Sequence, residues 1–113
     1  VAKKKRSKRV WNAKSAVIAA LRKASRYMPS KTEALKRMRA PYGQFFCEEC
    51  GGAFPRTLVQ VDHINPVVPT SGWVSWDSYI ERLFCSATGL AVLCKPCHKL
   101  KTQSENQERR KAA

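Results

Sequence analysis

Acid is what the first third of this chain lacks. Residues 1–40 hold fourteen Lys and Arg and one carboxylate, Glu33. The middle, residues 41–94, sets Arg56 and Arg82 against five acids, and residues 95–113 return to six bases against two. The formal net charge of +14 over 113 residues therefore belongs to the two ends. Such ends point to a phosphate backbone as partner and away from an acid-shy or uncharged one. There is also no apolar run of about 18 residues, which excludes a membrane-spanning helix. The apolar faces are too short for a membrane surface, so no membrane partner is expected. The chain opens on charge, not on an apolar signal segment, and the expectation is a cytoplasmic location. Only two histidines are present, His63 and His98, so little imidazole chemistry is available. The length allows one domain with a limited core, the class of chain that commonly needs a staple.

Cysteine supplies that staple. Cys47-Glu48-Glu49-Cys50 and Cys94-Lys95-Pro96-Cys97 are two CxxC pairs with 43 residues between them. A two-residue gap lets both sulfurs of a pair converge, and two pairs complete the tetrahedron that structural zinc takes. CxxC pairs without a secretion signal favour metal over disulfides. A redox pair is the alternative, and the lack of a βαβ pattern argues against it. Cys85 is left over and reads as a buried free thiol.

The periodicities describe an α+β chain. Asn12 to Met28 reads as a helix with Val17, Ile18, Leu21, Ala24 and Met28 on one stripe, ended by Pro29. Ser30 and Glu33 have capping-box spacing for a second helix running to about Arg39, with Leu35 and Met38 inward. Pro41-Tyr42-Gly43 breaks it. Phe45-Phe46-Cys47 is strand-like, and Thr57 to Val61 alternates into Asp62. Ile64 to Gly72 reads as a loop. Trp73, Trp76, Tyr79, Ile80, Leu83 and Phe84 have helical spacing, with Ser75 or Asp77 as cap and the aromatics as core. Leu90 to Leu93 is a short strand, and a polar helix from His98 to about Arg109 begins inside the second knuckle. The organisation is a basic arm and helices at 1–40, a zinc-stapled domain at 41–105 and a polar, basic tail at 106–113. The basic contacts to nucleic acid are expected from Lys3, Lys4, Lys5, Arg6, Lys8 and Arg9 of the arm. Arg22, Lys23, Arg26, Lys36, Arg37 and Arg39 add the outward helix faces.

Asp62 and His63 end a strand, and His98 starts a zinc-tethered helix. A carboxylate and an imidazole can hold a hydrated divalent metal while a second imidazole activates water. That gives Asp62 and His98 to the metal and His63 to the general base; two ordinary turn histidines are the plainer alternative.

Together, Cys47-x-x-Cys50, Val61-Asp62-His63-Ile64-x-Pro66 and Leu93-Cys94-Lys95-x-Cys97-His98-x-x-Lys101-Thr102 resemble the His-Asn-His (HNH) endonuclease family. The resemblance is narrower to its small zinc-stapled bacteriophage members and spans roughly residues 41–103. It implies a ββα-metal fold, a structural Zn2+ on the four cysteines, and Mg2+- or Mn2+-dependent nicking or cutting of DNA. By position it makes Asp62 and His98 metal ligands, His63 the general base and Lys101 a phosphate contact. The partner it implies is double-stranded DNA, with RNA or a nucleoprotein complex as the alternative, and a phage protein would act in the host cytoplasm. One departure matters: Gly89 stands where the family's middle Asn would lie, five residues before the second CxxC. Glycine has no side chain to brace the loop of the base histidine. This keeps open a second expectation, a catalytically inactive module of the same fold that binds nucleic acid or a nucleoprotein machine.

Overall fold

The computed structural model describes residues 10–112. The expected contacts Lys3, Lys4, Lys5, Arg6, Lys8 and Arg9 lie outside the described residues. The described chain is a small α+β domain with two short antiparallel sheets and four α-helices. In order it runs α1 (Ala13–Ser25), α2 (Pro29–Arg37), β1 (Gln44–Phe46), β2 (Ala53–Pro55), β3 (Val59–His63), α3 (Trp76–Leu83), β4 (Leu90–Cys94) and α4 (Lys95–Ala112). β1 pairs with β2, and β3 with β4 in a register that sets Asp62 opposite Ala91 and His63 opposite Leu90. No helix among the described residues is long and apolar enough to cross a membrane.

The core lies under the second sheet. Val59, Leu90 and Val92 bury against Met28 and Ala34, with Leu35, Met38, Phe45 and Phe54 packed around them. The expected boundary near residue 40 thus does not separate two cores, because Met28 and Ala34 join strands from the half that carries the CxxC pairs. The expected tail also departs: residues 106–112 continue α4.

Local chemistry explains the shifts in helix ends. Asn12 caps α1 by accepting from the Ser15 N–H at 3.2 Å. α1 ends at Ser25, before Pro29, and Pro29 is instead the first residue of α2, after Met28 as N-cap. A proline's fixed φ suits that position and its missing N–H costs nothing there. The helix therefore starts two residues earlier than a Ser30 cap would set it, and the Ser30–Glu33 capping box does not form. The α1 stripe is less buried than its periodicity promises. Val17 is 46 % exposed, where α1 faces Trp76 and Ile80 of α3 across an open groove.

The aromatic segment is also only partly core. Ser75 caps α3 through the Ser78 N–H at 3.1 Å. Tyr79 and Leu83 are buried, but Trp73 is 46 % and Phe84 39 % exposed. Trp73 precedes the helix and stacks on Tyr79 with ring centroids 5.4 Å apart. The buried Tyr79 hydroxyl has no hydrogen-bond partner among the described residues. A buried orphan hydroxyl costs about 1–3 kcal/mol. Tyr79→Phe is therefore expected to raise stability by roughly 1 kcal/mol in urea denaturation, and an unchanged or lower midpoint would count against an orphaned group.

Candidate functional site

The first knuckle is shaped by its backbone. Cys47 donates to the Gly52 carbonyl at 2.8 Å and accepts from the Gly51 N–H at 2.9 Å. Gly51 turns the chain at φ +74°, a region in which a side chain would be strained. The second knuckle is the junction of β4 and α4. The four sulfurs of Cys47, Cys50, Cys94 and Cys97 lie within 4.8 Å of one another, and the Cys50 and Cys94 sulfurs are 3.8 Å apart. Zinc–sulfur bonds of about 2.3 Å in a tetrahedron set the sulfurs about 3.8 Å apart. The donor set is therefore a candidate metal centre consistent with zinc.

Its electrostatics suit a cation. Burial pushes the Cys47 thiol up, but backbone groups of Cys50, Cys94 and Glu49 outweigh it and bring the group down to about 6. The neighbouring Cys94 sulfur, burial and the remaining thiols push Cys97 up to about 12. Without metal the cluster holds protons that a fourfold-coordinated cation must displace, so metal affinity falls as pH falls. Glu48 fixes the knuckle to the second sheet: its N–H donates to the Val92 carbonyl at 2.8 Å, and its carboxylate accepts from the Val92 N–H.

Arg37 closes this bracket from α2. Its guanidinium donates to both Glu48 oxygens at 3.1 and 3.2 Å and to the carbonyls of Ala87 and Leu90 at 3.0 and 2.8 Å. Of the basic residues expected to face nucleic acid, Arg37 is thus engaged inside the fold. Arg22, Lys23, Arg26, Lys36 and Arg39 are exposed.

The second constellation sits where α4 crosses β3. Neighbours on a strand face opposite sides of the sheet. Asp62 meets α4: its Oδ1 is 3.9 Å from His98 Nε2, and its Oδ2 is 2.9 Å from Lys101 Nζ. His63 meets α3 instead, with Nε2 2.8 Å from the Leu83 carbonyl. A carbonyl only accepts, so Nε2 is the donor, and in the neutral ring the lone pair sits on Nδ1. Asp62 and His63 nonetheless border one cleft of about 240 Å³ between α1, the 64–72 loop and α4. The loop is pinned by Arg109, which donates to the carbonyls of Val68 and Pro69 at 2.9 and 3.2 Å. A carboxylate and an imidazole 3.9 Å apart can both reach one hard cation through bonds of about 2.0–2.1 Å.

Lys101, expected as a phosphate contact, also pairs with Asp62, which the sequence did not foretell. Beyond Asp62, its ammonium donates to Glu105 Oε1 at 2.7 Å and to the His63 carbonyl at 2.8 Å. Burial would lower its pKa, but the Glu105 and Asp62 carboxylates hold it above the ordinary lysine value. The Lys101–Glu105 pair has i,i+4 spacing, a readable signal.

Gly89 is explained by packing. Its carbonyl accepts from the Ile64 N–H at 2.9 Å, so backbone ties the loop after His63. A Cβ at Gly89 would lie 3.0 Å from Cys85 Sγ and 3.3 Å from its Cβ. Cys85 is half-buried against the core, not sealed within it. Gly89→Asn is therefore expected to cost about 1–3 kcal/mol through overpacking, read by chemical denaturation. Adding Cys85→Ala should recover most of that loss, and an uncorrected loss would place the strain elsewhere.

No protein-family model matches this chain, and no curated protein or solved structure does.

Proposed function

We propose that the chain is an HNH-type, metal-dependent endonuclease that nicks or cleaves DNA on a zinc-stapled ββα-metal frame. The observation that supports this best is the convergence of Asp62 and His98, 3.9 Å apart, beside a cleft that His63 also borders. In this reading the four cysteines hold a structural zinc. Asp62 and His98 hold Mg2+ or Mn2+, which would stabilise charge on the phosphoryl oxygens. His63 takes a proton from water through Nδ1, and the Leu83 carbonyl fixes its ring and tautomer. The strand carries the base and one ligand, and the knuckle sets the first turn of α4 against it.

Nicking of a supercoiled plasmid tests the reading. The native chain should nick with Mg2+ or Mn2+ and stop when the divalent ion alone is withdrawn, while Asp62→Asn should be inactive. Nicking that survives Asp62→Asn would sink it.

A second reading, a non-catalytic nucleic-acid-binding module, is favoured by the Lys101 ammonium on Asp62, since that carboxylate is already neutralised. Both readings place phosphates on the basic ends. Affinity for duplex DNA should fall about a thousandfold or more between roughly 50 and 200 mM salt if six or more phosphates are neutralised. A flat salt dependence in an anisotropy titration would remove the electrostatic grip from both.

A further inference from the structure

We propose that the cleft between α1, the 64–72 loop and α4 is a phosphodiester subsite in which Lys101 is an exchangeable cation. It rests on Asp62 in the free protein and transfers to the incoming phosphate, which leaves Asp62 to a divalent ion. The inference rests on the reading above that Asp62 serves a metal.

Three acceptors surround the three N–H donors of Lys101: Asp62 Oδ2, Glu105 Oε1 and the His63 carbonyl, at 2.9, 2.7 and 2.8 Å. The ammonium thus holds the carboxylate that a metal would take. A divalent ion arriving alone must displace it or accept a positive neighbour a few ångströms away. The lysine can move, because its side chain is 26 % exposed and ends a flexible four-carbon stem. The space it would enter is the 240 Å³ cleft, which Arg22, Thr102 and Asn106 also line. Arg22 is exposed on α1 and makes no ion pair among the described residues. It supplies a second cation to the same phosphate, and this gives α1 a place in the site.

Charge balance then couples the two ligands. Asp62, Glu105 and Lys101 together carry one net negative charge. Arg22 brings these four groups to zero, so a phosphodiester alone leaves the cleft negative, a divalent ion alone leaves it doubly positive, and the two together set opposite charges side by side. Each ligand therefore favours the other, by a factor that must be the same in both directions.

The test uses the zinc-loaded full chain and Mn2+ alone, with free ion counted by electron paramagnetic resonance. Lys101→Met and Lys101→Gln should bind Mn2+ about tenfold more tightly than the native chain, because one repelling charge is gone. Lys101→Arg should stay near native, and adding Asp62→Asn to Lys101→Met should abolish the gain. Lysine variants with native zinc content and circular dichroism that bind Mn2+ no better than native would overturn the exchange. A second arm measures duplex-DNA binding: Mn2+ should raise the affinity of the native chain relative to Asp62→Asn, which corrects for screening. An equal response in the two chains would overturn the coupling. Tighter Mn2+ binding in Lys101→Met with no nicking by any chain would retain the exchange and reject the hydrolytic reading. Nicking by the native chain with unaltered Mn2+ affinity in the lysine variants would do the reverse.

Discussion

Stripping the metal from the four-cysteine centre with a chelator is expected to unfold the domain, with loss of the β-sheet and near-ultraviolet signals in one transition. The reason lies in what the knuckles join. Cys47 and Cys94 are 1 % and 3 % exposed and pack with Leu93, so the centre is also the second core. That core is too small to hold the β1–β2 hairpin on its own, as two-stranded hairpins are marginal in water. Structural zinc contributes about 10–16 kcal/mol in small zinc peptides. A whole domain is stable by only about 5–15 kcal/mol, so a zinc ion held by these cysteines would match or exceed the margin. Cys94→Ser should behave like the chelated protein, because it removes a ligand and leaves a hydroxyl in the buried position. Arg37, Glu48 and Val92 bracket the first knuckle without metal. If the chelated protein keeps its melting transition, that bracket and the first core suffice and the metal is an accessory.

The second large effect concerns His63. His63→Ala should lower plasmid nicking by about a hundred- to ten-thousandfold, the usual worth of a general acid–base group. Metal binding at Asp62 and His98 should be unaltered, since the ring of His63 faces α3. The loss should appear in the rate at saturating Mg2+, not in the metal requirement. His63→Gln would separate proton transfer from ring placement: its amide can still donate to the Leu83 carbonyl but cannot act as a base at neutral pH. A glutamine variant as active as the native chain would show that His63 serves structure alone.

Much of the fold was legible because its elements follow simple periods. The alternation from Thr57 to Val61 pointed to β3, although Thr57 and Leu58 belong to a 3-10 turn before it, and the apolar run into Cys94 and the two CxxC spacings pointed to β4 and the four-cysteine cluster. Asp62 and His98 could be paired from the sequence because a knuckle fixes where α4 begins. What stayed hidden depended on contacts between distant residues. Ala34 is fully buried, yet a small residue in a basic helix carries no strong signal. The stripe of α1 read as core, although Val17 stays half exposed against α3. Pro29 read as a stop when it was a start, since a proline fits both positions. Gly89 read as a missing brace, and the Cys85 sulfur that fills its space lies across a turn the sequence does not specify. Lys101 read as a free phosphate contact because its Asp62 partner is 39 residues away in the chain.

α4 carries a mechanical consequence. One rigid rod holds Cys97 in the knuckle, His98 and Lys101 at Asp62, and Arg109 on the loop carbonyls. At 1.5 Å per residue, Cys97 and Arg109 stand about 18 Å apart along it. A small tilt about the sulfur-anchored end is magnified at the far end, where the loop is gripped. Cleft width and ligand spacing are therefore geared together, and the amides of the 64–72 loop and of the α4 midsection should exchange with deuterium at a common rate.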